Sequence, residues 1–282
     1  MLGKLIAYEW KATWKLMVIL NAVVIVLSGL GVMLASVEGL SDMIDRSSMG
    51  SVWLFIMFFS YIMVYILGIF ALSIGTTIYF YVRFYRNIYT DQGYLMHTLP
   101  VTEHELILSK AIVAFIWRMI GVVITMVGVG SIVMVLFGKL DDLPDWPTRM
   151  YKGFVEEVYD GNVAYFIIYL ILMLVSGIVS VVHSIFMGYA SISIGQLASK
   201  NKVLASIGAY FGILIIVGMI SNTLSQTFFF SASVFDDMKT LPGRMGAVSI
   251  GSTLAMCILS AVLAVGGYFI THYMMRKKLN LE

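Results

Sequence analysis

Positions 52–81 read VWLFIMFFSYIMVYILGIFALSIGTTIYFY, thirty residues without a charged side chain. As an α-helix rising ~1.5 Å per residue this run is ~45 Å long, against a hydrocarbon core ~30 Å thick. Its natural solvent is a bilayer, where a helix satisfies every backbone N–H and C=O internally. Because the run exceeds the core thickness, it is expected to tilt or to project beyond the headgroups. Whether it fixes the fold of the whole chain depends on how often the pattern recurs.

It recurs five times, at about 16–35, 111–137, 163–193, 203–220 and 249–274. The chain therefore reads as an all-α polytopic membrane protein, with 1–282 forming a single transmembrane domain of six helices. The apolar runs are too long for barrel strands. Composition agrees: 60% of residues are hydrophobic and 12% charged, where a soluble domain has about 25% charged. The single cysteine, Cys257, lies in an apolar run, which leaves no disulfide framework and no thiolate metal site. The first run follows lysines, as a signal peptide would, but no small-residue cleavage site follows it, so it counts as a span.

Ahead of that span, helical spacing puts Lys4, Lys11 and Lys15 on one side and Leu2, Leu5, Ile6, Trp10 and Met17 broadly on the other. Two readings fit residues 1–15. One is an amphipathic elbow helix in the membrane interface, with Trp10 and Trp14 at headgroup depth; the other is a helical extension of the first span.

Charge sets the expected orientation. With a cytoplasmic N-terminus, the inner side carries Lys4, Lys11, Lys15, Arg83, Arg86, Lys110, Lys200, Lys202, Arg276, Lys277 and Lys278. The outer side carries only Arg46, Lys139, Arg149, Lys152, Lys239 and Arg244, while most acidic residues fall there. Lys and Arg bias in short loops governs topology, so both termini are expected in the cytoplasm. The polar stretch RFYRNIYTDQGYLMHTLPVTEHELILSK at 83–110 is then cytoplasmic as well.

The other connections differ in character. Positions 138–162 are acidic, and Tyr151, Phe154, Val155 and Val158 have the spacing of a short interfacial helix. The link between the fourth and fifth spans is the short GQLASKNK. Positions 222–248 are rich in phenylalanine, and Phe228, Phe229 and Phe230 fit either an external gate or an interfacial anchor. Small residues four apart, Gly208 with Gly212 and Gly31 with Ala35, allow close approach of helix backbones, within one subunit or between two.

Reactive chemistry is sparse. The predicted spans contain no Asp or Glu, whereas ion-driven carriers commonly place carboxylates at membrane depth. No phosphate-binding loop ending in Lys-Ser or Lys-Thr occurs. The histidines, His97, His104, His183 and His272, are scattered in sequence and form no metal-ligand pattern. His183 beside Ser184 could serve an intramembrane hydrolase, or it could be a hydrogen-bonded structural histidine. Arg118 is the one charge inside a predicted span. It could snorkel to the inner headgroups or make a polar contact in an inward-facing vestibule.

Within 83–110, Asp91-Gln-Gly-Tyr-Leu-Met-His-Thr-Leu-Pro100-Val-Thr followed by Ser109-Lys110 resembles the membrane subunits of ATP-binding cassette (ABC) exporters of the type-2 permease family. Six spans, an N-terminal elbow and a first cytoplasmic loop longer than the second are similar to that family over nearly the whole chain. The resemblance implies a non-enzymatic permease in the cell membrane, paired with a second permease copy as homodimer or close paralogue. Each copy would dock on a separate cytoplasmic ABC ATPase subunit that holds ATP and Mg; this chain would carry no cofactor and bind no nucleic acid. Asp91, Gly93, Tyr94, Leu95, Leu99 and Pro100 would form the coupling helix that enters the ATPase. Physically, Thr90 or Asp91 can cap such a helix, Pro100 can end it, and Thr102 with Glu105 has capping-box spacing for the next one.

The resemblance extends to small Gram-positive permeases that export antimicrobial or toxin peptides, including the phenol-soluble-modulin exporters. An apolar, aromatic and methionine-rich lumen would suit an amphipathic peptide. It would also suit a lipid-linked glycan or a hydrophobic drug. The alternative from another class is a non-transporting membrane scaffold or sensor partner.

Overall fold

A computed structural model of the chain describes residues 1–36, 49–90, 101–138, 146–159, 161–234 and 244–277. Its helices are α1 (Leu2–Ala35), α2 (Met49–Tyr89), α3 (Glu103–Gly138), α4 (Trp146–Tyr159), α5 (Val163–Gly195), α6 (Lys202–Val234) and α7 (Arg244–Lys277). No strand occurs among the described residues. Among the described residues, all the helices except α4, six in total, are long and apolar enough to cross a membrane. The chain is a multi-pass membrane protein. At 14 residues, α4 would reach only ~21 Å.

Burial is distributed as lipid solvation requires. Leu67, Phe70, Ile215, Met219, Val262 and Phe269 are all exposed on helix surfaces, an apolar exterior that water would not tolerate on this scale. The interior is smaller and more polar. On α1 the buried residues are Glu9, Thr13, Met17, Asn21, Val24, Ser28, Gly31 and Ala35, recurring every three or four positions so that they line one face. Thr13 Oγ1, Asn21 Nδ2 and Ser28 Oγ donate to the carbonyls of Glu9, Met17 and Val24 at 3.0, 2.8 and 2.8 Å. The stripe thus satisfies most of its donors within its own helix.

That stripe also decides the form of the N-terminal region. It crosses positions 15 and 16 without interruption, and α1 is one continuous helix of 34 residues. No Gly or Pro lies between Lys4 and Leu27 to break it. Residues 1–15 are therefore the first turns of α1, the extension reading, and not a separate elbow helix. Lys4, Lys11 and Lys15 are exposed, so the expected polarity of the segment is present on a continuous helix.

Helices outrun the apolar runs elsewhere too. α2 has 41 residues, ~62 Å, and carries Arg83 and Arg86 on its last two turns. α6 continues to Val234 through the phenylalanine-rich stretch, and α7 begins at Arg244. Hydropathy marks where lipid ends, whereas a helical backbone can continue past that point wherever neighbours bury one face of it.

The chain divides into two compact units. One comprises Ala7–Phe80 and Ile116–Thr148, the bodies of α1, α2 and α3. Here α1 and α3 run alongside each other in parallel: the rings of Trp10 and Trp117 stack with centroids 4.6 Å apart, Asn21 lies beside Gly121, Ser28 against Gly128 and Gly31 against Ile132. α2 joins through Tyr61, whose hydroxyl donates to Leu27 O, and through Tyr65, whose hydroxyl is 3.0 Å from Ser28 Oγ. A Cβ on Gly128 would overlap both Ser28 and Tyr65, so only glycine admits this approach.

The other unit comprises Met1–Ile6, Tyr81–Phe115 and Arg149–Glu282. α5 packs against both α6 and α7, which also touch each other. The α5–α6 hairpin is closed by Gly195 lying against the backbone of Ser206, with Asn201 in the left-handed region at φ 54°. Asn tolerates that conformation better than most residues. At the start of α5, Gly161 has φ 73° and the Asn162 side chain caps the helix by accepting from Ala164 N at 3.1 Å. α4 seats Val155 and Tyr159 inward and brings the rings of Tyr151, Phe154 and Tyr159 against Phe166. The Tyr159 hydroxyl is 3.4 Å from Ser249 Oγ, and burial pushes its phenol above the ordinary range.

Candidate functional site

Positions 91–100, which include Asp91, Gly93, Tyr94, Leu95, Leu99 and Pro100, lie outside the described residues. Their two flanks are described. On the upstream side, the last turns of α2 turn aromatic, and these aromatics are gripped by α5. Phe84 stacks on Tyr189 with centroids 3.8 Å apart, the Tyr81 hydroxyl donates to Ser184 O at 2.6 Å, and Tyr89 donates to Ser193 Oγ at 2.8 Å. Phe84 and Ile88 are each 1% exposed. Gly188 makes the contact possible, because a Cβ there would overlap the Tyr81 ring. Thr90 Oγ1 donates back to Arg86 O at 2.6 Å, which ties Thr90 to α2's final turn.

Downstream, α3 starts with a formed capping box. Glu105 N donates to Thr102 Oγ1 at 3.3 Å, and Thr102 N donates to Glu105 Oε2 at 3.2 Å. Two orphan donors are thereby satisfied reciprocally. The opposite carboxylate oxygen of Glu105 is 3.1 Å from the Met1 amine. Leu106, Ile107, Ser109 and Lys110 follow as buried residues. Both flanks belong to the unit that contains α5, α6 and α7. A force applied between positions 90 and 101 would meet a helix end clamped by stacked rings on one side and a capped, buried helix start on the other.

Arg118 lies in the α1–α2–α3 unit. Its guanidinium donates to Thr77 Oγ1 at 2.7 Å, and Thr77 Oγ1 donates in turn to Ser73 O at 2.8 Å. The charge is therefore engaged in a polar contact across helices. One residue earlier, Trp117 stacks on Trp10, and its Nε1 is buried with no hydrogen-bond partner; the same holds for Asn21 Oδ1 on α1. Sequence reading passed over Asn21, Thr77 and Trp117. Asn21 carried the one usable signal, since an amide inside an apolar run is costly unless it is buried against protein.

The remaining candidates separate. Phe228 sits on α6, where it would meet a Cβ on Gly251 at 3.2 Å, and Phe230 is 70% exposed on the same helix. Both belong to a regular helix, so the triplet Phe228, Phe229 and Phe230 does not form a loop. Ser184 Oγ donates to Val181 O at 2.9 Å, while His183 Nε2 is buried without a partner. Adjacent helical positions point in different directions, so this pair does not make a nucleophile and base. Gly31 and Ala35 are buried, whereas Gly208 and Gly212 face open space. No group of three or more His, Cys, Asp or Glu that could hold a metal occurs among the described residues. No family model, curated protein or solved structure matches the chain.

Proposed function

We propose that the chain is the membrane-spanning permease subunit of an ATP-driven ABC exporter, working with a separate cytoplasmic ATPase through positions 91–100. The observation that carries this reading is the anchoring on either side of that stretch. A coupling element must not yield at its roots. Here the upstream root is held by Phe84, Tyr81 and Tyr89 against α5, and the downstream root by the Thr102–Glu105 box. ATP and Mg belong to the partner, and this chain contributes mechanical linkage and the pathway.

For the cargo, the resemblance and the interior chemistry favour one class. Arg118 and Thr77 place a charge and a hydroxyl among apolar helices, which suits an amphipathic molecule; an antimicrobial or toxin peptide is the class we favour. Gly208 and Gly212 leave a smooth strip on α6 that a second permease copy could approach closely. The cell membrane of a Gram-positive bacterium, with both termini cytoplasmic, is the setting that the basic-residue bias and the resemblance support.

The test replaces Tyr94, Leu95 and Leu99 by Asp in the full chain, expressed with its ATPase. Retained membrane insertion with loss of transport-stimulated ATP hydrolysis is expected. Undiminished stimulation would remove the coupling role, and substrate accumulation that is the same with and without the complex would favour a non-transporting scaffold.

A further inference from the structure

Two histidines far apart in sequence meet in the fold, and this meeting is independent of the transport reading. His104 lies in the first turn of α3, and His272 lies near the end of α7; their ring centroids are 5.4 Å apart. Tyr268 is one turn before His272 on α7, and i, i+4 spacing puts the two on one helix face. Its ring centroid is 5.4 Å from that of His104. The Tyr268 hydroxyl is in hydrogen-bond contact with His104 Nδ1 and is 3.3 Å from Nε2. His104 is exposed, and His272 and Tyr268 are partly so, so solutes can reach the cluster.

From this geometry we infer that His104 and His272, oriented by Tyr268, form a binding site for a divalent transition metal of the imidazole-preferring class, Zn2+ or Cu2+. Imidazole nitrogen suits these ions, while Mg2+ and Ca2+ demand oxygen ligands. Two imidazoles offered from two helices leave the remaining coordination positions to solvent. When the Tyr268 oxygen accepts the proton of His104 Nδ1–H, the tautomer is fixed, and Nε2, 3.3 Å from the same hydroxyl, keeps the lone pair that a metal would take. That is the usual task of an outer hydrogen-bonding partner in metal sites. Tyr268 is therefore a positioning residue and not a required ligand. Glu103 and Glu105 flank His104 on α3, the Met1 amine is held by Glu105, and Arg276 lies one turn beyond His272. A bound ion would join the start of α3 to the end of α7.

The experiment uses the full chain in lipid nanodiscs, titrated with Zn2+ and with Cu2+ after chelator treatment. Saturable binding of about one ion per chain is expected, with Cu2+ the tighter in the order usual for nitrogen sites. The Cu2+ electron paramagnetic resonance spectrum should show hyperfine structure from two imidazole nitrogens. His104→Gln and His272→Gln should each remove that spectrum, and Tyr268→Phe should weaken binding by about 10- to 100-fold, the range seen for lost outer-shell partners. Melting of the chelated variants at the wild-type temperature shows that they are folded. Equal binding in wild type and both His variants would assign the ion to His97, His183 or the amino terminus and overturn the site. A spectrum with one imidazole or none would also overturn it.

Discussion

Within each of the two units, helices meet through a different balance of contacts. In the α1–α2–α3 unit, helices meet through small and polar groups: Ser28 with Tyr65, Tyr61 with Leu27 O, and Arg118 with Thr77. Asn21 Oδ1 and Trp117 Nε1 in that unit are buried without a partner, as is His183 Nε2 in the other. In the unit containing α4 to α7, rings stack and interlock around Phe84, Tyr159 and Tyr189, and glycines at 188, 195 and 267 let neighbouring atoms touch the backbone. Hydrogen bonds between helices in a membrane average only ~0.6 kcal/mol, because alternative partners are available. Close packing of rings against backbone has far fewer alternatives. Under the proposed transport role, the first kind of contact would suit a region that exchanges partners as cargo passes, and the second a region that transmits force.

That contrast can be broken by substitution. The largest effect is expected at Gly188, where alanine would force the Tyr81 ring away from α5. Overpacking of this kind costs about 1–3 kcal/mol, read as lowered resistance to unfolding in mild detergent. Wild-type stability in Gly188→Ala would mean that the aromatic clamp is soft. A smaller effect is expected in the polar unit. A double-mutant cycle with Arg118→Leu and Thr77→Ala should give a coupling of about 0.6–1.7 kcal/mol, the range for such pairs in membranes. A coupling near zero would return Arg118 to simple snorkelling. If the contact also serves the pathway, Arg118→Leu should reduce transport more than stability. The smallest effect belongs to Gly208→Ala, which meets nothing within 4 Å. It should leave the stability of one subunit unchanged and alter only self-association, measured by subunit exchange between differently labelled copies.

How much of this was legible in the sequence differs by region for physical reasons. Six apolar runs announced six membrane helices, because the requirement for internal backbone hydrogen bonding is strict and local. The Thr102–Glu105 box was equally legible, being a contact over three residues. Where each helix ends was not. Arg83 and Arg86 read as loop residues by charge, yet they ride on α2, since Phe84 and Ile88 on the same turns are buried. The N-terminal segment offered two readings, and the uninterrupted stripe from Glu9 to Ala35 selects the continuous helix. Pairings across the fold, such as Arg118 with Thr77 or His104 with His272, connect positions 41 and 168 residues apart and leave no local pattern to read.

The unit containing α5 matters most because both flanks of positions 91–100 belong to it. If positions 91–100 pass work from an ATPase to α5, then the coupled complex should depend on both the stretch and its clamp. The most direct measurement is ATP hydrolysis by the complex purified from its native membrane with a tag on this chain. A nucleotide-binding subunit in stoichiometric amount is expected, with hydrolysis that responds to substrate and loses that response when Tyr94, Leu95 and Leu99 become Asp. A folded chain that purifies with no nucleotide-binding subunit, or a response that survives those three changes, would contradict the account.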